Sequence, residues 1–182
     1  DYSDGVLLDA NENSIGATVA EPDTMELNRY PDPYQKELKE MIAKYRGVRW
    51  EQIFLGVGSD EAIDIIMRIF CVPGTDSILI TPPTYGMYSV SAKTNDVGII
   101  KVPLTPEFDV EVEKVLAAVT SRTKIIFLCS PGNPTAKAIP HSVVEAVASK
   151  FNGIVVVDEA YIDFCTSTPS ACCLGEWRCG GG

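Results

Sequence analysis

Three polar side chains lie where predicted strands end, and their types could do chemistry together. Asp158 and Tyr161 follow the apolar run of residues 154–157, and Asn133 follows another apolar run at residues 124–129. A carboxylate at the edge of a core costs on the order of several kcal/mol unless a cation pairs with it. The sequence therefore raises the question of which cation lies opposite Asp158.

A glycine-rich segment, GVGSDE at residues 56–61, lies between a predicted strand and a predicted helix. Glycines let a backbone approach a ligand closely, and the first N–H groups of a helix attract phosphate. The segment is not the dinucleotide fingerprint, because Glu61 occupies the third glycine position, and no Gly-Lys-Ser/Thr follows as in a P-loop. An ordinary turn that Ser59 caps explains the same residues equally well.

Two more loops follow predicted strands. Pro131 and Pro134 flank the loop around Asn133 and fix where its amide points. Open α/β sheets bind ligands at the carboxyl ends of their strands, where this amide lies. Tyr85, after the apolar run of residues 78–80, could offer an aromatic face to a ring, although packing in the core would account for it as well.

The elements that must position these groups alternate along the chain. Several predicted strands are apolar on both faces, which is typical of a sheet covered by helices. The alternation predicts an α/β fold with a mostly parallel sheet and helices on both faces. The apolar spacing predicts five helices. Two of them begin at residues 33 and 59, and the other three span residues 85–93, 112–119 and 143–151. It also predicts strands at residues 53–57, 78–80, 99–102, 124–129 and 154–157.

Together these loops predict a site with five kinds of group at one edge of the sheet: an anion-binding helix start, an aromatic face, an amide, a carboxylate and a phenol. A planar, phosphorylated heteroaromatic with a basic ring nitrogen and a phenolic oxygen would use all five, and pyridoxal 5′-phosphate has this shape. Asp158 would then face the protonated ring nitrogen, which makes the ring an electron sink.

Composition narrows the function classes. The chain has 182 residues, 46% of them hydrophobic, and a net charge of −10, which disfavours a nucleic-acid partner. No apolar run approaches the ~20 residues that a membrane span needs. Cys71 and Cys129 lie beside apolar runs, no CxxC pair occurs, and no signal segment is present, so we expect a cytoplasmic protein. Cys172, Cys173 and Cys179 could bind zinc, but an irregular tail is the simpler interpretation, so we expect no metal site.

Six segments together resemble the fold-type I aminotransferases, and within them the histidinol-phosphate aminotransferases. They occur in the family's order over most of residues 6–164, and the ordered set is far more specific than any one segment. The segments are LDANEN (8–13), NRYPDP (28–33), GVGSDEAID (56–64), PPTYGMYSVSA (82–92), SPGNPT (130–135) and VVDEAYIDF (156–164).

The resemblance implies a role for each matching position. Tyr30 would reach the cofactor phosphate of a neighbouring subunit, which implies a homodimer, and Asn11 and Asn13 would lie near the substrate entrance. The remaining positions would bind pyridoxal phosphate, with Ser59 and Asp60 at its phosphate, Tyr85 stacked on its ring, Asn133 and Tyr161 at its ring oxygen, and Asp158 at its ring nitrogen.

The chain also departs from the family pattern. Ala136 replaces the glycine that usually follows Asn-Pro-Thr, and Lys137 comes next. No lysine follows Lys150, whereas the family's Schiff-base lysine comes after the segment that contains Asp158. We therefore expect a truncated chain with no catalytic residue of its own and no useful transaminase activity, with Lys137 as a remote candidate to replace the missing amine.

The resemblance implies a division into an N-terminal arm with a substrate-entrance segment (1–30), a partial cofactor-binding large domain (31–168) and an aberrant or disordered tail (169–182), with the small domain absent. The implied reaction is amino transfer between L-histidinol phosphate and 2-oxoglutarate in histidine biosynthesis. Two alternatives stay open. One is a non-catalytic product that binds the cofactor or a full-length subunit, and the other is a related aromatic aminotransferase or threonine-phosphate decarboxylase.

Overall fold

A computed structural model of the chain describes residues 10–18 and 27–174. The chain forms two compact units, Asp1–Leu55 and Gly56–Gly182. The predicted division at residue 30 stays a prediction. Among the described residues, none of the helices combines the length and the apolar composition that a bilayer crossing requires.

In its described residues the first unit contains one α-helix, α1 (Lys36–Arg46), followed by the 3-10 helix Trp50–Gln52. Gly47 ends α1, with φ at +70° and its N–H donated to the carbonyl of Ala43 at 2.8 Å. Glycine adopts this left-handed conformation without the steric cost that a side chain brings, which makes it the usual residue just past a helix end.

The prediction of a strand at residues 53–57 is wrong. Ile53 has an extended backbone, but within the described ranges no neighbouring strand pairs with this segment. Phe54 and Val57 are both largely exposed. Because a strand is stabilised by its ladder and by cross-strand side chains, an apolar run without a partner strand does not form one.

The second unit contains a four-stranded parallel sheet in the order β2-β1-β3-β4. Each remaining predicted element is present within a few residues of its predicted bounds. The strands are β1 (Ser77–Ile80), β2 (Gly98–Lys101), β3 (Thr123–Cys129) and β4 (Ile154–Asp158), and the helices are α2 (Gly58–Phe70), α3 (Met87–Thr94), α4 (Val112–Ala118) and α5 (His141–Ala148).

Helices cover both faces of this sheet, as the apolar strands predicted. Successive strand residues point to opposite faces, so a strand that is apolar throughout contributes side chains to the hydrophobic core on each face of the sheet. One face packs against α2 and α3, and the other packs against α4 and α5. The fully buried strand residues are Ile78, Ile80, Ile125 and Phe127 on the first face and Leu79, Ile126 and Leu128 on the second.

The register of β3 and β4 sets the edge where the loops emerge. Cys129 pairs with Asp158 in the ladder, and the N–H of Ser130 donates to the carbonyl of Asp158 at 2.9 Å. Because the strands are parallel, their carboxyl ends share one edge of the sheet. The loops that follow β1, β3 and β4 therefore leave from the same edge.

Part of the predicted tail is ordered by hydrogen bonds. Glu159 accepts one bond from the hydroxyl of Ser170 at 2.5 Å and another from the N–H of Ala171 at 2.6 Å. The 3-10 helix Ala171–Leu174 follows. These residues belong to the segment 169–182, for which the expectation of an aberrant or disordered tail stays a prediction. Cys179, which the zinc hypothesis requires, lies outside the described residues.

Candidate functional site

A cleft of about 290 Å³ lies at the carboxyl edge of the sheet. It brings together side chains from the start of α2 and from the loops that follow β1, β3 and β4. All six predicted site residues of the second unit line it, which are Ser59, Asp60, Tyr85, Asn133, Asp158 and Tyr161, together with Val57, Gly58, Cys129 and Ala160.

The start of α2 differs from the prediction in one detail. The residue before the helix is Val57, which has no side-chain cap, so the alternative interpretation, in which Ser59 caps an ordinary turn, is wrong. Gly58 has φ at +76°, a left-handed conformation that glycine adopts readily, and it turns the chain into the helix. The N–H of Val57 donates to the carboxylate of Glu61 instead.

This helix start has the polarity that an anion needs. Exposed Ser59 and Asp60 lie in its first turn, where backbone N–H groups lack intrahelical partners. The positive end of the helix dipole favours negative charge there. In the described part of the chain no lysine or arginine lines the cleft. Among the described residues that line the cleft, backbone N–H groups rather than basic side chains are therefore the donors available to an anion.

Tyr85 is half-buried at the cleft wall. Its hydroxyl donates to Oδ1 of Asp60 at 3.1 Å, which ties the loop after β1 to the start of α2. This hydrogen bond, with a further effect of burial, raises the pKa of the Tyr85 phenol above its ordinary value. The phenol is therefore neutral at physiological pH and keeps its donor role.

Asp158 ends β4 and is half-buried. Its Oδ2 accepts a hydrogen bond from the hydroxyl of Tyr88 at 2.5 Å, and its Oδ1 accepts one from the N–H of Ala160 at 3.2 Å. No ion pair joins it to a basic side chain in residues 10–18 and 27–174. The chain so described supplies no cation opposite Asp158, so the cleft presents an acceptor for a positively charged ligand group.

Asn133 and Tyr161 also line a second cavity of about 390 Å³, which is otherwise mainly apolar. The loop that carries Asn133 is tightly closed, with the N–H of Ala136 donating to the carbonyl of Gly132 at 2.7 Å. Ala136 has φ at +56°. The position where the resemblance expects glycine is thus left-handed, which explains the preference for glycine there.

Lys137 does not line the cleft. Its amine pairs with Oδ1 of Asp109 at 2.6 Å and donates to the carbonyl of Glu107 at 2.8 Å. Its neighbours are those of a surface lysine, and the geometry gives no support to the hypothesis that it replaces the missing amine.

The predicted substrate and dimer residues belong to the first unit. Asn13 donates to the carbonyl of Gly16 at 2.5 Å and accepts from the N–H of Ile15 at 3.1 Å. Asn11 has φ at +52°, and the side chain of Tyr30 is exposed. Their roles at a substrate entrance and at a partner's site stay predictions.

Sequence reasoning gave no role to Tyr88 and Cys129, and both adjoin the site. Tyr88 is fully buried and donates a hydrogen bond to Asp158. Cys129 is a small buried residue, and burial raises the pKa of its thiol. The signal for Tyr88 is its spacing. It lies three residues after Tyr85 at the start of a helix, where residues at that spacing share one face.

The sequence profile of aminotransferases of class I and II matches residues 3–176. The chain belongs to this family. Its fold corresponds to part of the large domain of these aminotransferases.

Relatives and solved structures agree with this family. The chain is 54% identical, over 89% of its length and 45% of the relative's, to a histidinol-phosphate aminotransferase of Cytophaga hutchinsonii. It is 47% identical, over 96% of its length and 48% of the relative's, to that of Schizosaccharomyces pombe. Among structures it is similar to N-succinyldiaminopimelate aminotransferase from Mycobacterium tuberculosis, with a TM-score of 0.64 and 28% identity over 74% of this chain and 38% of that one. The chain spans about half the length of the curated relatives it matches.

Proposed function

We propose that this aminotransferase chain forms the cofactor-binding part of a histidinol-phosphate aminotransferase and binds pyridoxal 5′-phosphate in the cleft. The reaction of the whole protein would be amino transfer from L-histidinol phosphate to 2-oxoglutarate. The names of the relatives at 47–54% identity support this substrate over the aromatic and threonine-phosphate alternatives. The homodimer and the cytoplasmic location belong to the same proposal.

One observation carries the cofactor assignment: Asp158 is half-buried, hydrogen-bonded on both oxygens and without a basic partner among the described residues. A carboxylate in this setting favours a cationic ligand group, and a protonated pyridine nitrogen is one. When bound, the cofactor supplies an electron sink for the bonds that change at the substrate's Cα. Asp158 would hold the proton at the ring nitrogen, on which that sink depends.

The other cleft residues would hold the rest of the cofactor. Tyr85, whose hydroxyl is fixed by Asp60, would stack on the ring, and Asn133 and Tyr161 would bond the ring oxygen. The N–H groups at the start of α2, with Ser59 and Asp60, would bind the phosphate. Tyr30, acting at a partner's site, and Asn11 and Asn13, acting at the substrate entrance, complete the proposal.

The 182-residue chain would bind the cofactor without turnover. No lysine follows Lys150 in the sequence, and the amine of Lys137 pairs with Asp109. A general base at the reacting proton is worth about 10²–10⁴-fold in rate, so a chain that lacks it would have no useful activity even with the cofactor bound. The domain division that the resemblance implies is part of this proposal.

Titration with pyridoxal 5′-phosphate tests the assignment. We expect saturable binding, followed by the change in cofactor absorbance, and about 10–100-fold weaker binding in Asp158→Asn, because a charge-assisted interaction is lost. Asp109→Asn is the matched control and should bind like the unaltered chain. Borohydride reduction and peptide mapping identify any cofactor attached to a surface lysine. Binding that is absent, or equal in both variants, would contradict the cofactor assignment, and turnover of histidinol phosphate by the chain would contradict its predicted inactivity.

A further inference from the structure

Tyr88 is the most completely buried polar side chain next to the cleft. It lies in α3 with no exposed surface, and its ring stacks on Phe127 with centroids 4.7 Å apart and an angle of 19° between the planes. It forms a T-shaped contact with the ring of Tyr85, with centroids 5.7 Å apart and an angle of 85° between the planes. Rings held on two sides in this way have little rotational freedom, so the position of the hydroxyl is fixed by packing.

The fixed hydroxyl acts on one atom. It donates to Oδ2 of Asp158 at 2.5 Å, while the N–H of Ala160 donates to Oδ1 at 3.2 Å. A carboxylate has about four acceptor positions in all, so each oxygen keeps acceptor capacity. The two donors restrict rotation of the carboxylate and leave it able to accept from a group in the cleft.

A tyrosine suits this task better than a basic residue. A lysine or arginine at this place would pair with Asp158 and compete with a cationic ligand, whereas a phenol donates without adding charge. Burial, together with the bond to Asp158, raises the pKa of the Tyr88 phenol far above its ordinary value. The hydroxyl therefore keeps its proton beside a carboxylate throughout the physiological range.

We propose that Tyr88 is a positioning residue that orients the carboxylate of Asp158 toward the ring nitrogen of the cofactor. The proposal rests on the proposed function for its ligand. It assigns Tyr88 no contact with the cofactor, because Tyr88 does not line the cleft.

Tyr88→Phe tests the proposal, since it keeps the ring stacked on Phe127 and removes only the hydroxyl. We expect binding of pyridoxal 5′-phosphate to weaken about tenfold. With cofactor labelled with ¹⁵N, we expect the ring-nitrogen chemical shift to move toward the unprotonated value at constant pH. If Tyr88 only donated a hydrogen bond and did not orient Asp158, its loss would leave a more electron-rich carboxylate. The ring-nitrogen chemical shift would then move toward the protonated value. Tyr34→Phe, which removes a hydroxyl from an exposed tyrosine, should change neither quantity.

A double-mutant cycle shows whether Tyr88 acts through Asp158. If it does, Tyr88→Phe should cost affinity in the unaltered chain and almost none in the Asp158→Asn background. Equal losses in both backgrounds would overturn the proposal. So would a ring-nitrogen signal that stays in place or moves toward the protonated value in Tyr88→Phe.

A measurement without cofactor separates this proposal from the proposed function. Side-chain coupling constants should show one rotamer of Asp158 in the unaltered chain and averaged rotamers in Tyr88→Phe. If the chain failed to bind pyridoxal phosphate, the proposed function would fail while this result would still decide whether Tyr88 orients Asp158. A single rotamer in both proteins would overturn the positioning role.

Discussion

The two units of the chain are stabilised in different ways. In the second unit, fully buried strand residues pack against helices on both faces of the sheet. In the described residues of the first unit, Ala43 is the one buried side chain, and polar contacts such as the 2.8 Å ion pair between Arg29 and Glu12 hold the segments together. Burial fixes a side chain more firmly than exposed polar contacts do. The candidate cleft belongs to the unit with the buried core.

Removing an aromatic ring from the sheet should have the largest effect. Phe127→Ala leaves a cavity beneath Tyr88 and is expected to lower the free energy of unfolding by about 3–5 kcal/mol. Met41→Ala in α1, where the side chain is 71% exposed, should change it by less than about 0.5 kcal/mol. Urea denaturation followed by circular dichroism measures both. Similar losses in the two variants would show that the contrast between the units is wrong.

Much of this contrast could be read from the sequence. Strands 124–129 and 154–157 are apolar on both faces, which predicts a covered sheet, and parallel strands bring Asn133 and Asp158 to one edge whatever the loops do. The prediction of a strand at residues 53–57 was wrong because a strand depends on a neighbouring strand, which local composition does not reveal. The bond from Tyr88 to Asp158 joins residues 70 positions apart, so its distance depends on packing across the sheet.

A smaller effect should come from the loop that carries Asn133. Ala136 has a left-handed backbone, which costs an alanine about 1–2 kcal/mol relative to its preferred conformations. Ala136→Gly removes this strain and should stabilise the second unit by about 0.5–1 kcal/mol after the entropy of glycine is subtracted. The matched control, Ala146→Gly within α5, should destabilise by about 1 kcal/mol. The same sign of change in both variants, measured by thermal unfolding, would refute the strain at Ala136.

The smallest effect concerns the polar contacts of the first unit. The hydrogen bond from Arg29, followed by that from the N–H of Tyr30, lowers the pKa of Glu12 below its ordinary 4.5. A carboxylate with a lowered pKa stabilises the folded state above its unfolded pKa, and this contribution is lost as the pH falls through the folded value. The protection of the Tyr30 amide against hydrogen exchange should therefore be constant above pH 4.5 and decrease below it.

The control for this prediction is the amide of Gly16, which donates to the carbonyl of Asn13 at 3.2 Å and involves no carboxylate. Its protection should not follow the same titration. In Glu12→Gln the protection of the Tyr30 amide should lose its dependence on pH in this range. A dependence that persists in that variant would assign the effect to another group.

The ladder contact between Ser130 and Asp158 has a consequence for how such a protein can change. Because that hydrogen bond joins backbone groups, it does not depend on which side chains follow the two strands. Substitutions beyond residue 130 or at position 158 can alter which ligand the cleft binds. The backbone positions from which those side chains emerge stay a fixed distance apart. Ligand preference and architecture can thus vary separately, and a new specificity need not disturb the scaffold that supports it.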